Sequence, residues 1–174
     1  KNTSNGKELI EWLVLEVKDG KALVISKYGL DGKRYNNYYY NGGTWEKCML
    51  RKWLNNDFIN AAFTADEKAV IPTVTVSADK NPKYDTDPGN ATQDKVFLLS
   101  LDEVNEYLKH VGARQCEATF YAIANGAVRI DSRHYTYWWL RTPGQNKYSA
   151  VAVEVGGGIY ESGFTIDSEG AAVR

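Results

Sequence analysis

Catalysis needs a nucleophile, a base and usually an orienting group within reach of one another. This chain offers two histidines, His110 and His134, and two cysteines, Cys48 and Cys116. His110 closes a stretch with helical spacing, where an imidazole is simply a favourable C-terminal residue. His134 stands in the polar and aromatic run Asp131-Ser132-Arg133-His134-Tyr135 and is expected to touch a ligand, not to act as a base. Neither cysteine belongs to a Cys-x-x-Cys or Cys/His metal spacing, so both are expected to be buried, unbonded thiols. No glycine-rich phosphate loop, His-Glu-x-x-His pattern or Gly-x-Ser-x-Gly elbow is present. The acidic segment 79–94 contains Asp85-Thr86-Asp87-Pro88-Gly89-Asn90, oxygen ligands spaced like the start of a calcium loop. It lacks the distal bidentate Glu, and Pro88 distorts the register, so a solvated turn is expected. The chain therefore reads as non-enzymatic, with no cofactor and no metal.

What remains is a surface suited to recognition. Aromatic residues make up 13% of the chain, with 12 Tyr and 5 Trp, and a tyrosine combines large contact area with a polar tip at low entropic cost. In the C-terminal third, Arg133, His134, Tyr135 and Tyr137, then Gln145, Asn146, Lys147 and Tyr148, then Tyr160 and Glu161 with Phe164, fall on loops and strand ends between apolar strands. All of these except Lys147 and Phe164 are the expected ligand-binding residues, nine in number, for a protein or glycan ligand. The formal net charge of -1, from 21 basic and 22 acidic residues, gives no electrostatic reason to expect nucleic acid. No apolar run reaches the ~20 residues that span a bilayer, so direct membrane insertion is not expected.

The elements that position these residues follow from periodicity. The run Leu9-Ile10-Glu11-Trp12-Leu13-Val14-Leu15-Glu16-Val17 is apolar on both alternating faces, which predicts a strand covered on both sides, and Asp19-Gly20 turns it into Ala22-Leu23-Val24-Ile25. Tyr35-Asn36-Asn37-Tyr38-Tyr39-Tyr40-Asn41-Gly42-Gly43 reads as a loop. Thr44 as N-cap and Trp45, Met49 and Trp53 at i, i+4, i+8 predict a helix over about 45–61 with Trp45 and Trp53 on one buried stripe. Thr64-x-x-Glu67 opens a short helix that Pro72 stops, and Ser100-x-x-Glu103 opens one over about 101–109 burying Leu101, Val104 and Leu108. Strands are expected at Thr73-Val74-Thr75-Val76, at Lys95-Val96-Phe97-Leu98-Leu99, and at three places in the last forty or so residues. The length of 174 residues fits one domain, residues 1–174, of α+β class.

Several ordered motifs carry a resemblance. They are Ile10-Glu11-Trp12-x-Val14-Leu15, Leu50-Arg51-x-Trp53-Leu54-Asn55, Thr92-Gln93-Asp94-Lys95-Val96-Phe97-Leu98-Leu99-Ser100, Trp138-Trp139-Leu140-Arg141-Thr142-Pro143-Gly144 and the closing Gly170-Ala171-Ala172-Val173-Arg174. Together they resemble a domain of unknown function common in Gram-positive gut bacteria. That family is in turn distantly similar to the formylglycine-generating-enzyme type of C-type lectin fold, which also carries the variable proteins of diversity-generating retroelements. The resemblance implies a C-type-lectin-like mixed, mostly antiparallel sheet with two main flanking helices, its chain ends close together. It also implies a place outside the cell or on its surface, and hypervariability, if any, in residues 132–174. The family's Phe-Gly-x-Tyr-Pro strand before the chain and its Pro-Ala-Leu after the final Arg are both missing, so both ends are expected to be trimmed. The oxidase relatives bind copper through two neighbouring thiols in their C-terminal half, which Cys48 and Cys116 do not reproduce. The Glu-Pro-Asn and Trp-Asn-Asp motifs of calcium-dependent sugar-binding lectins are absent too. Arg141 and Arg174 are expected to fix carbonyls and carboxylates within the fold. The alternatives to a recognition domain are a retroelement-diversified variable protein, an enzyme of the oxidase lineage and a structural or assembly domain.

Overall fold

The structure, a computed structural model, describes residues 8–130 and 132–174, with only the backbone of Asn41. The opening Lys1-Asn2-Thr3-Ser4 and Asp131 lie outside the described residues. The architecture is mixed α+β. Strands β1 (Trp12–Lys18) and β2 (Lys21–Ser26) form an antiparallel hairpin, with a bulge between Val14 and Glu16. A central five-stranded sheet follows in the order β3 (Asp31–Gly32), β9 (Ala172–Val173), β6 (Trp138–Pro143), β7 (Ser149–Val153) and β8 (Ile159–Thr165). Its pairs are antiparallel except β6 with β9. A third, two-stranded sheet pairs β4 (Val74–Val76) with β5 (Thr92–Asp94).

The central strands β6 and β7 are buried throughout, and their apolar runs Trp138-Trp139-Leu140 and Ala150-Val151-Ala152-Val153 suit strands covered on both faces. One face of the sheet packs Trp138, Leu140, Val151 and Val153 against Leu99, Val104 and Leu108. The other packs Trp139, Ala150 and Ala152 against Tyr35, Trp45, Leu50 and Leu54. Alternation along each strand sends neighbours to opposite cores. Glycine is required at position 163, where φ is +77° and a Cβ would lie 2.4 Å from the Ala150 carbonyl oxygen.

Both predicted capping boxes form. Thr64 and Glu67 cap α3 (Ala65–Val70), and Ser100 and Glu103 cap α4 (Leu101–Tyr107). The helix expected from Trp45 instead begins four residues later. It consists of α1 (Met49–Trp53), a π-helical turn (Leu54–Phe58) and α2 (Ile59–Ala62), with the Cys48 sulfur accepting the Arg51 amide at the N-terminus. Thr44 heads a turn instead, its carbonyl accepting from Lys47 and Cys48. The reason is Trp45: its ring is buried beside Tyr35 and its Nε1 donates to Asp94, a position a helix surface would not allow. The stripe therefore breaks up, with Trp45 buried, Trp53 half-buried and Met49 exposed.

Three other expectations are corrected. Strand β1 is not covered on both sides; Leu15 alone is half-buried and Val17 is 72% exposed, because the hairpin forms its own sheet and only Leu15 and Ile25 reach the core. Residues 95–99 are not a strand, and strand pairing stops at Asp94. Carbonyls of Leu98 and Leu99 are instead taken by the Arg141 side chain and amide. His110 does not end a helix; it precedes α5 (Val111–Arg114), while α6 (Phe120–Ala124) follows further on with Thr119 as its cap. The chain's last residue does return to the first hairpin, where Arg174 Nε donates to the Ser26 carbonyl at 3.2 Å.

Candidate binding surfaces

The nine predicted residues separate into three groups, because β6 runs between them. Six strand residues span about 20 Å, so Arg133, His134 and Tyr135, which precede β6, are held at the opposite end from Gln145, Asn146 and Tyr148, which follow it. The first group packs on α6 and its surroundings: the His134 ring lies edge-on to Phe120 at 4.9 Å, and the Arg133 guanidinium sits over Tyr135 at 5.0 Å. His134 has φ of +64°, a left-handed conformation uncommon outside glycine, though histidine adopts it more often than most residues. The second group is aromatic and follows the sheet: Tyr137 meets Phe164 edge-on at 5.2 Å, and Tyr160 lies 4.9 Å from the same ring. Glu161 pairs with Lys83 at 3.0 Å, so it is tied to the acidic segment.

The third group is joined by tyrosines of the loop at 35–43. Tyr148 stacks on Tyr39 with centroids 4.6 Å apart, and Tyr39 meets Tyr40 edge-on at 5.8 Å. Backbone bonds fix the two loops together, since Gly43 N–H donates to the Lys147 carbonyl at 2.8 Å. Asn146 Oδ1 accepts the Tyr148 amide at 2.8 Å, and Lys147 Nζ stands 4.9 Å above the Tyr148 ring. Tyr40 is 89% exposed, and Tyr38 is exposed as well. The run Tyr38-Tyr39-Tyr40-Asn41-Gly42-Gly43 is the signal in the sequence that points to this loop. Tyr135 and Tyr148, expected to be exposed, are half-buried because each is covered by a neighbour; Tyr160 is 38% exposed.

The remaining chemistry is structural. Cys48 and Cys116 are unbonded and buried, and burial pushes their thiols up to about 12 and about 11. The acidic segment is pinned at two points while Asp85, Asp87 and Asn90 stay exposed: Asn81 Nδ2 donates to the Pro143 and Glu161 carbonyls, and Thr86 Oγ1 donates to the Gly144 carbonyl. Its carboxylates diverge, with Asp79 on Arg141, Asp85 on Lys80 and Asp94 on Arg51. Among the described residues no three His, Cys, Asp or Glu converge on a point where a metal ion would sit. Arg141 is buried between Glu103 and Asp79, and Arg174 donates to the Ser26 and Arg114 carbonyls.

A groove of about 620 Å³ opens between the first hairpin and the helical layer. Trp12 spans it, stacked on Phe63 at 6.0 Å, and Phe58, Ile71, Pro72 and Phe97 form much of its lining. Its size and apolar lining are those of ligand sites. A smaller cleft of about 390 Å³ lies by Trp53, Lys33 and Arg34, whose charges are already met by Asp31 and Glu169.

The family model of a domain of unknown function, DUF6273, matches residues 19–174. The chain belongs to that family. The DUF6273 match starts at the turn of the first hairpin and includes every strand of the central sheet, both tyrosine loops and the closing Arg174. No curated protein and no solved structure matches the chain. No described helix is long and apolar enough to cross a membrane.

Proposed function

We propose that this DUF6273 chain is a non-enzymatic recognition domain with a C-type-lectin-like fold, binding a protein or glycan ligand through tyrosine-bearing loops. The observation that carries the reading is the stack of Tyr148 on Tyr39 beside a Tyr40 ring open to solvent. Rings held in place by packing lose little entropy on binding. The adjoining carboxamides of Gln145 and Asn146 supply adaptable hydrogen bonding at the edge of the rings. The contact face is thus narrower than the nine residues, centring on Gln145, Asn146 and Tyr148 with Tyr38, Tyr39 and Tyr40.

The lectin-like reading is supported by β9, which returns to pair parallel with β6 and antiparallel with β3, leaving the final residue against the first hairpin. The non-enzymatic reading is supported by His134 packing edge-on to Phe120 and by two buried, protonated thiols. A location at the cell surface or outside the cell is part of the same proposal and is supported by the motif resemblance alone. The test is an array of defined oligosaccharides and glycoproteins probed with the wild-type chain and with Tyr40→Ala. The reading requires saturable binding that weakens in the variant.

A further inference from the structure

The groove beneath the first hairpin meets β2 along its edge, not on one of its faces. Residues 20–26 line it in unbroken succession, whereas β1 reaches it only through Trp12, Glu16 and Lys18. A strand face presents alternate residues, and only an edge presents every one. Hydrogen-bond parity agrees. Lys27 N–H donates to the Glu11 carbonyl at 2.9 Å, and Trp12 opposes Ser26. Residues 25 and 27 therefore turn their main-chain groups towards β1, and Val24 and Ser26 turn theirs outward. The Ser26 carbonyl is taken by Arg174, while the outward N–H and C=O of Val24 meet no partner among the described residues.

The charge of the groove adds to this. Among the described residues, Lys18, Lys21, Lys95 and Arg174 line it against the single carboxylate of Glu16. Arg174 is only 9% exposed, yet its guanidinium donates to two carbonyls and lies 5.0 Å from the Trp138 ring, with no carboxylate partner among the described residues. A buried cation without a counter-ion is costly, and an approaching anion relieves that cost. Strand β9 enters the groove beside this edge, with Leu30 N–H donating to the Val173 carbonyl at 2.7 Å.

We propose that the groove accepts an extended, apolar and acidic segment of a second polypeptide, added as a third strand on the outer edge of β2. Its amides answer Val24, its alternate apolar side chains enter the lining of Phe58, Phe63 and Phe97, and its carboxylates face Lys21 and Arg174. A fatty chain would fill the apolar lining but leave the strand edge unanswered. This site is separate from the tyrosine loops and stands without them.

The probe is an N-acetylated, amidated eight-residue peptide alternating valine and glutamate, fluorescently labelled and followed by anisotropy with the full chain. Saturable one-to-one binding is expected. It should weaken tenfold or more when the amides along one edge of the peptide are N-methylated, and several-fold when lysine replaces glutamate or in the exposed variant Lys21→Glu. Because the methylation is on the peptide, the protein's folding does not enter the comparison. Equal binding of the methylated peptide overturns the proposal. So does dodecanoate filling the groove while the peptide fails to bind, and so does a concentration-dependent dimer abolished by Val24→Glu without peptide binding, which would assign the edge to a second copy.

Discussion

Tyr148 lies on Tyr39 with ring centroids 4.6 Å apart and planes 20° from parallel, although the two residues come from loops far apart in the chain. The stack depends on the frame beneath it: Gly43 binds the Lys147 carbonyl, and Ile166 N–H donates to the Tyr148 carbonyl at 3.0 Å. Tyr40, beside it, contributes almost nothing to burial. The surface therefore divides into a ring that holds and a ring that is offered.

That division predicts different stabilities. Tyr40→Ala should change unfolding free energy by less than about 0.5 kcal/mol, as exposed substitutions do. Tyr148→Ala should cost about 1 kcal/mol through loss of the aromatic pair. Urea unfolding of the two variants separates these values.

Trp45→Ala should cost about 3–5 kcal/mol, because a fully buried indole leaves a cavity and the Asp94 carboxylate loses a donor. Met49→Ala, at an exposed position four residues on, should cost under about 1 kcal/mol. Equal losses in chemical denaturation would restore the single helical stripe that the spacing predicted.

Much of this fold was legible in the sequence. Thr64 with Glu67 and Ser100 with Glu103 announce their helices through local chemistry, which needs no knowledge of distant residues. The buried runs of β6 and β7 are equally local. Trp45 misled because i, i+4, i+8 spacing says nothing of Asp94, whose carboxylate draws its indole inward. The run of β1, apolar on both faces, misled for the opposite reason: it reports what a strand would bury, not whether a neighbour covers it. In the proposed site, Gln145, Asn146 and Tyr148 stand out in the sequence by residue type alone. Tyr39 and Tyr40 were not assigned to the surface, since their partner lies in another loop.

Arg141→Met should destabilise by about 3 kcal/mol, towards the lower end for a broken buried ion pair because Glu103 and Asp79 keep partial contact with solvent. The loss should spread beyond α4, since the same guanidinium holds the Leu98 and Ser77 carbonyls. Hydrogen exchange should rise in residues 77–79 and 98–107 together.

The thiols give a pH signature. Burial raises Cys48 to about 12 and Cys116 to about 11, above the unfolded value near 9. Between those limits the unfolded state ionises and the folded state does not, so their contribution is fully present below about pH 9 and is lost as pH rises through about 11 to 12. The fall in stability over pH 9–11 should be shallower in a Cys48→Ala/Cys116→Ala variant. At pH 8 a thiol reagent should label the native chain only as fast as it opens.

Gly163→Ala should cost more than about 1 kcal/mol, since a Cβ cannot share space with the Ala150 carbonyl and φ is in the left-handed region. Gly112→Ala, where a Cβ meets nothing within 4 Å, is the matched control. Thermal unfolding of the pair checks it.

The most direct test of the account is the oligosaccharide and glycoprotein array probed in parallel with the wild-type chain and the Tyr40→Ala/Tyr148→Ala double variant, its fold verified by circular dichroism. The account predicts at least one saturable binder whose affinity falls tenfold or more in the variant, about 1.4 kcal/mol, as expected of aromatic anchors. A binder held equally by both proteins, or no binding by the wild-type chain at all, would contradict the assignment of the tyrosine loops as the recognition surface.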